Sequence, residues 1–385
     1  MDFPILFWLA ATTVVVYLGM FLELAWNGRK LTLLHEVNPL SADAMPSVSI
    51  VIAARNEERA IEHALRSVLA QEGDRVEVIV IDDRSDDSTG AILDRMAAAA
   101  PRLRVVHVTE LPPGWLGKNH ALWMGAGAAT GEFLLFTDAD VVMAPDTLRR
   151  ATAYLVREKL DHLTLGPRVV MPGALLRAFG VVFSLFFALF TRPWKVRDPR
   201  SPYHIGIGAF NMVRASAYRA MGTHQAIAMR PDDDIKLGKL VKKNGFTQDF
   251  VVGAELVSVE WYHSVREAVH GLRKNGFAGV DYRLWMVVGA SLVHLVFFVW
   301  PFVAVLVTGG WTQGLYALAI GILMVIYAGS ALAQKASPWH GILFPLASIM
   351  FVVVLWNATL YALWNNGIEW RGTHYPLDEL RANKV

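Results

Sequence analysis

Four apolar runs, Phe3–Leu22, Leu284–Thr308, Gly314–Ala333 and Gly341–Trp364, bracket a stretch of ordinary charged sequence. Each run is long enough to cross a bilayer, which takes about 20 residues. The chain is therefore expected to fold as membrane helices attached to one aqueous domain. Its composition agrees: 54% of the residues are hydrophobic and 18% are charged, below the roughly 25% charge of soluble domains. A net charge of +2 argues against a nucleic-acid polycation, so no nucleic-acid partner is expected. The absence of cysteine removes disulfides, thiolate metal sites and thiol nucleophiles.

The spacing predicts an N-terminal transmembrane helix in residues 1–28, an aqueous domain over 46–283, three candidate transmembrane helices within 284–364, and a tail at 365–385. Arg29 and Lys30 follow the first run, which puts that end and residues 30–283 in the cytoplasm. The protein is expected in a membrane, the inner one in a bacterium, with the lipid bilayer as a partner. The stretch Ala174–Phe190 carries Arg177 and is followed by Arg192, Lys195, Arg197 and Arg200. It reads as a helix lying in the headgroup plane, the alternative being an ordinary buried helix. His294, inside an apolar run, reads as a neutral packing imidazole. One span before the domain and three after it would put the tail outside, although Arg371, Arg381 and Lys384 favour the inside. Either one C-terminal run does not fully span or the tail defies the rule.

The aqueous domain alternates strand and helix. Val48–Ala54, Val76–Ile81, Leu103–Val108 and Glu132–Phe136 read as strands. Glu57–Ala70, Asp86–Ala99 (capped by Ser85 or Asp86) and Gly117–Thr130 read as helices. This order predicts an α/β fold with a mostly parallel sheet, its ligands at the strands' carboxyl ends. Acidic groups gather at that edge: Arg55-Asn56-Glu57 after the first strand, Asp82-Asp83-Arg84-Ser85-Asp86-Asp87 after the second, and Asp138-Ala139-Asp140 after the fourth. Like charges repel, and a divalent cation with a polyphosphate would relieve that repulsion. Asp138 and Asp140 lie two residues apart and face one side of an extended chain. Two hard oxygen ligands suit Mg²⁺ or Mn²⁺ shared with substrate phosphates. Asp82 or Asp83 would accept hydrogen bonds from a base or ribose. No GxxxxGK[ST] loop occurs, which counts against a P-loop enzyme.

The order SIVIAARNEE, VIVIDDRSDDST, FTDAD and RPDDDIKLGKLV resembles family-2 glycosyltransferases of the GT-A fold. The segment LPPGWLGKNHAL resembles lipid glycosyltransferases of the hopanoid-associated and carotenoid-glycosylating type, with a more distant likeness to ceramide glucosyltransferases. The resemblance implies an inverting, metal-dependent transfer of one sugar from a nucleotide sugar, a UDP-sugar by preference, to a membrane lipid. It puts Asp83 near the nucleotide, Lys118 near the diphosphate or sugar, and Asp138 and Asp140 on the metal. Ala54, Arg55, Glu57 and Asp82 complete the candidate nucleotide-sugar set.

The ED-x-x-L-G element of the family matches Asp233-Asp234-x-x-Leu237-Gly238, making Asp234 the catalytic base. Asp232 and Asp233 should raise its pKa, and a helix N-terminus should lower it. Alternatively, the three aspartates merely cap the helix Ile235–Lys243. The resemblance also puts Gly208, within the glycine stretch His204–Asn211, and Asp233 on the acceptor side. Arg273 and Lys274 stand where processive relatives carry Q/R-x-x-R-W; they could clamp a diphosphate or form a membrane-facing basic patch. No tryptophan follows them, which weakens a polysaccharide-synthase reading. That reading and a polyprenyl-phosphate glycosyltransferase are the alternatives.

Overall fold

The computed structural model describes residues 4–385; Met1, Asp2 and Phe3, where the first apolar run begins, lie outside the described residues. The chain divides into two compact units. A helical unit takes residues up to Lys30, Val170–Phe190 and Trp261–Asn365, and a sheet unit takes Leu31–Val169, Thr191–Glu260 and Asn366–Val385. Residues 261–283, read from sequence as part of the aqueous domain, thus group with the helices, and the tail groups with the sheet.

The strands in chain order are β1 Thr32–Leu33, β2 Val48–Ala54, β3 Val76–Asp83, β4 Leu103–Val108, β5 Phe133–Asp138, β6 Val141–Met143, β7 His162–Gly166, β8 Arg168–Val170, β9 Asn211–Arg214, β10 Gln248–Val252, β11 Val257–Glu260, β12 Gly367–Trp370 and β13 Thr373–Pro376. Eight of them make one sheet in the order β1-β10-β7-β9-β5-β2-β3-β4, while β6, β11 and β8 make a second and β12–β13 a hairpin. Pairing in the large sheet is parallel except at β9, which runs antiparallel to both β5 and β7. The central strands β2 and β3 are buried on both faces, as their unbroken Val/Ile runs require. One face packs Ile61, Leu65 and Val68 of the helix Ile61–Leu69 with Leu148 and Leu155 of Thr147–Arg157. The other packs the helices Gly117–Ala128 and Asp233–Lys243.

Two helices start later than their periodicity suggests. Asn56 and Arg84 take left-handed backbone angles, with φ of 54° and 57°. Their loops are then tied to each other: Asn56 N–H donates to Ser85 Oγ, Glu57 N–H to Thr89 Oγ1 and Glu58 N–H to Asp87 Oδ2. Those bonds hold residues 57–60 and 85–88 in turns, so the helices begin at Ile61 and Thr89. Ser85, Asp86 and Asp87 are therefore loop residues and not first-turn caps. Strands β3 and β5 each run two residues further than expected, which carries Asp82, Asp83 and Asp138 into the sheet itself.

Among the described residues, five helices are long and apolar enough to cross a membrane: Pro4–Gly28, Ala174–Lys195, Leu284–Val307, Gly310–Ala333 and Pro338–Trp364. The third contains a π-helical turn at Leu295–Val299. Its cause is Pro301, which has no N–H to give Phe297, four residues earlier. The Tyr17 hydroxyl donates to that freed carbonyl. His294 sits among Phe186, Phe298 and Phe351 at centroid distances of 4.8, 5.2 and 5.2 Å. Phe183 packs on Trp261 at 4.7 Å and Phe186 on Phe298 at 4.8 Å. The helix Ala174–Thr191 thus contributes rings to the interior of the helical unit.

Candidate active site

Strand β5 delivers Asp138 at its carboxyl end, and the helix Gly117–Ala128 delivers Lys118 in its first turn. Lys118 Nζ lies 2.8 Å from Asp138 Oδ1 and 3.4 Å from Asp233 Oδ2. Burial works against the ammonium, but Asp138, Asp233 and Asp234 outweigh it and hold its pKa above the ordinary lysine value. The lysine is thus a fixed cation joining the β5 end to the helix Asp233–Lys243.

The three consecutive aspartates face three different partners. Asp232 takes a two-pronged ion pair from Arg230, at 2.8 and 2.9 Å, and lies 3.5 Å from Lys236 Nζ. Asp233 faces Lys118. Asp234 accepts the Gly208 N–H on Oδ2 at 2.9 Å and the Ile235 N–H on Oδ1 at 2.8 Å. Asp232 occupies the cap position yet makes no side-chain cap bond, so capping does not account for the triplet. Burial, then the neighbouring Asp233, pushes the Asp234 carboxyl up to about 7. Gly208 has to be glycine: a Cβ there would fall 2.5 Å from Asp138 Oδ2. His224 lines the same pocket and is held neutral, its pKa pulled down to about 3 by burial.

Asp140 lies beyond the end of β5. Burial first, then Asp138 and Glu57, push its carboxyl up to about 7. The lesser contributions to that rise, from Asp138 and Glu57, are repulsion that a cation would relieve, and the donor set of Asp138 and Asp140 is all hard oxygen. Among the described residues, no three carboxylate or imidazole groups gather into a complete metal cage. An ion held here would draw further ligands from elsewhere.

Asp82 and Asp83 part company because successive strand residues point to opposite faces. Asp83 takes Arg84 in two hydrogen bonds, at 2.8 and 3.0 Å, with Arg55 at 3.8 Å. Asp82 turns away to His107 Nδ1 at 2.8 Å, and His107 Nε2 lies 3.0 Å from Asp94. Its Oδ1 is buried without a hydrogen-bond partner. Of the two nucleotide candidates, only Asp83 joins the arginine-lined edge. Glu57 pairs with Arg371, and Ala54 ends β2 as a buried residue. Arg273 and Lys274 belong to the helical unit, where Arg273 Nε donates to Asn357 at 2.6 Å and its guanidinium lies 4.4 Å from the Tyr361 ring.

Sequence reasoning passed over several residues of this site. Asn119 Nδ2 lies within hydrogen-bonding distance of the carbonyls of Ile227, Ala228 and Arg230, fixing the loop that enters the aspartate triplet. Its place beside Lys118 was the available signal. Arg371, Thr373 and Tyr375 reach the β2 and β3 loops from a segment that carries no recognisable motif.

Residues 49–222 match the sequence model of the family described as Glycosyl transferase family 2. A 4,4'-diaponeurosporenoate glycosyltransferase of Staphylococcus haemolyticus is 28% identical over 224 residues, 57% of this chain and 57% of that protein. The succinoglycan biosynthesis protein ExoO of Rhizobium meliloti is 38% identical over 140 residues, 34% of this chain and 38% of that protein. The chain therefore spans about half or less of the length of these curated relatives. Among solved structures, a mannosyltransferase from Pyrobaculum calidifontis, PcManGT, in complex with GDP-Man and Mn²⁺, superposes with a TM-score of 0.53. That match covers 94% of this chain and 99% of that one at 19% identity, a likeness of fold.

Proposed function

We propose that the protein, whose residues 49–222 match the Glycosyl transferase family 2 model and whose fold is GT-A-like, moves one sugar from a nucleotide-diphosphate sugar to a membrane lipid, inverting the anomeric carbon. The observation that carries this reading is Lys118, which joins Asp138 to Asp233 beside a carboxyl tuned close to neutrality. Donor-side and acceptor-side chemistry meet in one pocket. Asp234 takes the proton of the acceptor hydroxyl as its oxygen bonds to the anomeric carbon, and the sugar–phosphate bond breaks to release a nucleoside diphosphate. The Gly208 amide aims Asp234, and Lys118 compensates negative charge at the leaving group. Asp138 and Asp140 would hold Mn²⁺ or Mg²⁺, whose chemistry is to stabilise the departing diphosphate. The name of the diaponeurosporenoate glycosyltransferase relative supports a lipid-like acceptor, and a UDP-sugar is our preferred donor.

The test is mass spectrometry of membrane lipids from cells with and without the protein. A new lipid carrying one hexose supports the reading. A long polymer would replace it with a polysaccharide synthase, and a sugar on polyprenyl phosphate with a carrier-lipid enzyme.

We also propose that the sheet unit is cytoplasmic and that its return from the helices is topologically even. Strands β7 and β9 pair directly, so the helix between them leaves and rejoins one side. A single 18-residue helix cannot cross and return, which favours an in-plane or re-entrant course for Ala174–Thr191. The same parity applies to residues 261–365, because Asn366–Val385 folds with the sheet unit. Tyr316 Oη donates to Leu6 O at 3.4 Å, so Gly310–Ala333 and Pro4–Gly28 begin at the same end. The helix Phe344–Trp364, by contrast, begins beside Phe298 and Phe302, well inside the Leu284–Val307 helix. Two full crossings and one re-entrant arm therefore satisfy both the parity and the cationic tail. Impermeant labelling of single engineered cysteines checks it, since the chain has none of its own; labelling of the sheet unit in intact cells would refute it.

A further inference from the structure

Residues 366–385 have no motif, yet they bridge both halves of the candidate site. At one end, Arg371 pairs with Glu57 and donates to the Asn56 carbonyl at 3.2 Å. Arg55 Nη1 donates to Thr373 Oγ1 at 3.4 Å, while Arg55 Nε is buried with no hydrogen-bond partner. The Tyr375 hydroxyl accepts the Gly117 N–H at 3.2 Å. Gly117 opens the helix that bears Lys118, and a Cβ on it would sit 2.2 Å from Asp83 Oδ2. At the other end, Asn383 accepts from Met229 N–H at 2.9 Å and donates to the Ala226 carbonyl at 3.1 Å. Lys239 Nζ donates to the backbone oxygen of Val385 at 2.6 Å. Met229 lies three residues before Asp232. Buried Ile368, Tyr375, Leu377 and Leu380 root the segment in the sheet unit.

We propose that this C-terminal segment is a strap completing the donor site, with Arg371, Thr373 and Tyr375 as positioning residues whose seating is coupled to nucleoside diphosphate binding. The proposal rests on the donor-site reading given above. Both oxygens of Asp83 are engaged by Arg84, with Arg55 close by, so a nucleoside that uses Asp83 must redirect these guanidiniums. Thr373 gives Arg55 a second acceptor, and a diphosphate would satisfy the buried Nε. Tyr375 ties the strap to the first amide of the Lys118 helix. A ligand that prefers the seated strap stabilises it, and by reciprocity a loosened strap weakens the ligand.

The experiment uses the full chain in detergent or nanodiscs. Hydrogen exchange at residues 367–376 is measured without ligand and with UDP or GDP plus Mn²⁺. Donor KM and kcat are measured for wild type, Tyr375→Phe, Arg371→Gln and Arg371→Lys. The expected result is slower exchange across the strap on nucleotide addition. Donor KM should rise at least about fivefold in Tyr375→Phe and Arg371→Gln, the lower end of typical coupling. It should recover in part in Arg371→Lys, with kcat and the thermal midpoint little changed. Should a variant fail to fold, the wild-type exchange measurement decides. Wild-type turnover with nucleotide-insensitive exchange and unchanged variant KM overturns the strap alone; a wild type that binds no nucleotide sugar overturns the functional reading first.

Discussion

The edge of the sheet and the interior of the helical unit solve opposite problems. At the sheet edge, Asp138, Asp140, Asp233 and Asp234 are crowded against their mutual repulsion, with Lys118 as the cation between them. Burial first, and then neighbouring carboxylates, push Asp140 and Asp234 up to about 7. In the helical unit, Phe183, Phe186, His294, Phe298 and Phe351 pack ring against ring with no charge to manage. The first arrangement gathers like charges that need cations and donors around them, and the second packs uncharged rings together. Electrostatic crowding marks a place built to bind something, whereas aromatic packing marks a place built to hold together.

The largest expected effects break the crowded edge. Asp140→Ala, or chelation with EDTA, should abolish sugar transfer, with Mn²⁺ or Mg²⁺ restoring the chelated wild type. Full turnover in rigorously metal-free buffer would contradict the roles given to Asp138 and Asp140. Asp234→Asn should slow transfer by about 10²–10⁴-fold, the usual loss for a general base, while nucleotide binding, read by calorimetry, persists. An active Asp234→Asn beside an inactive Asp233→Asn would move the base by one residue.

The aromatic interior should respond in stability. Phe186→Ala, at a half-buried ring, is expected to lower unfolding stability by about 1–3 kcal/mol, measured as a fall in thermal midpoint, while the surviving folded fraction keeps its donor KM. A changed donor KM with unchanged stability would make Phe186 more than packing.

A subtler probe is pH. The base needs a deprotonated Asp234, so below about pH 7 the rate should fall about tenfold per unit, flattening above. Stability has the opposite sign. A carboxyl raised in the folded state favours folding at low pH, and that contribution is lost as pH climbs through about 7. Metal-free protein should therefore have a lower thermal midpoint at pH 8 than at pH 6, a difference that Mn²⁺ should narrow. The smallest effect belongs to Asp82→Asn, which faces His107 and should leave donor KM within about twofold, whereas Asp83→Asn should raise it about tenfold or more, of the order of a lost charged hydrogen bond. Equal effects at the two positions would mean that strand alternation does not sort their roles.

Much of the sheet and the core of the site were legible in the chain because both are written locally. Strand β2 falls where Val48–Ala54 puts it, and Asp138 sits at a strand end because its apolar run stops there. The helix starts were not legible, since Ile61 and Thr89 are set by bonds between two loops about thirty residues apart. The antiparallel β9 was missed because a four-residue strand carries no mark of its direction. Asp232, Asp233 and Asp234 are adjacent in sequence, and nothing in their order says that Arg230, Lys118 and Gly208 will each claim one.

What the sequence alone determined is the separation of long apolar helices from an α/β unit and the set of acidic groups at its strand ends. Period, run length and charge are properties of neighbouring residues, so they survive without a fold. Only the tertiary structure decided that Asp82 turns to His107, that Lys118 bridges two carboxylates, and that Arg371 and Tyr375 reach the loops after the central strands. Each of those depends on chain segments separated by up to some three hundred residues. Which of the possible long-range partners meet is decided by how the whole chain packs.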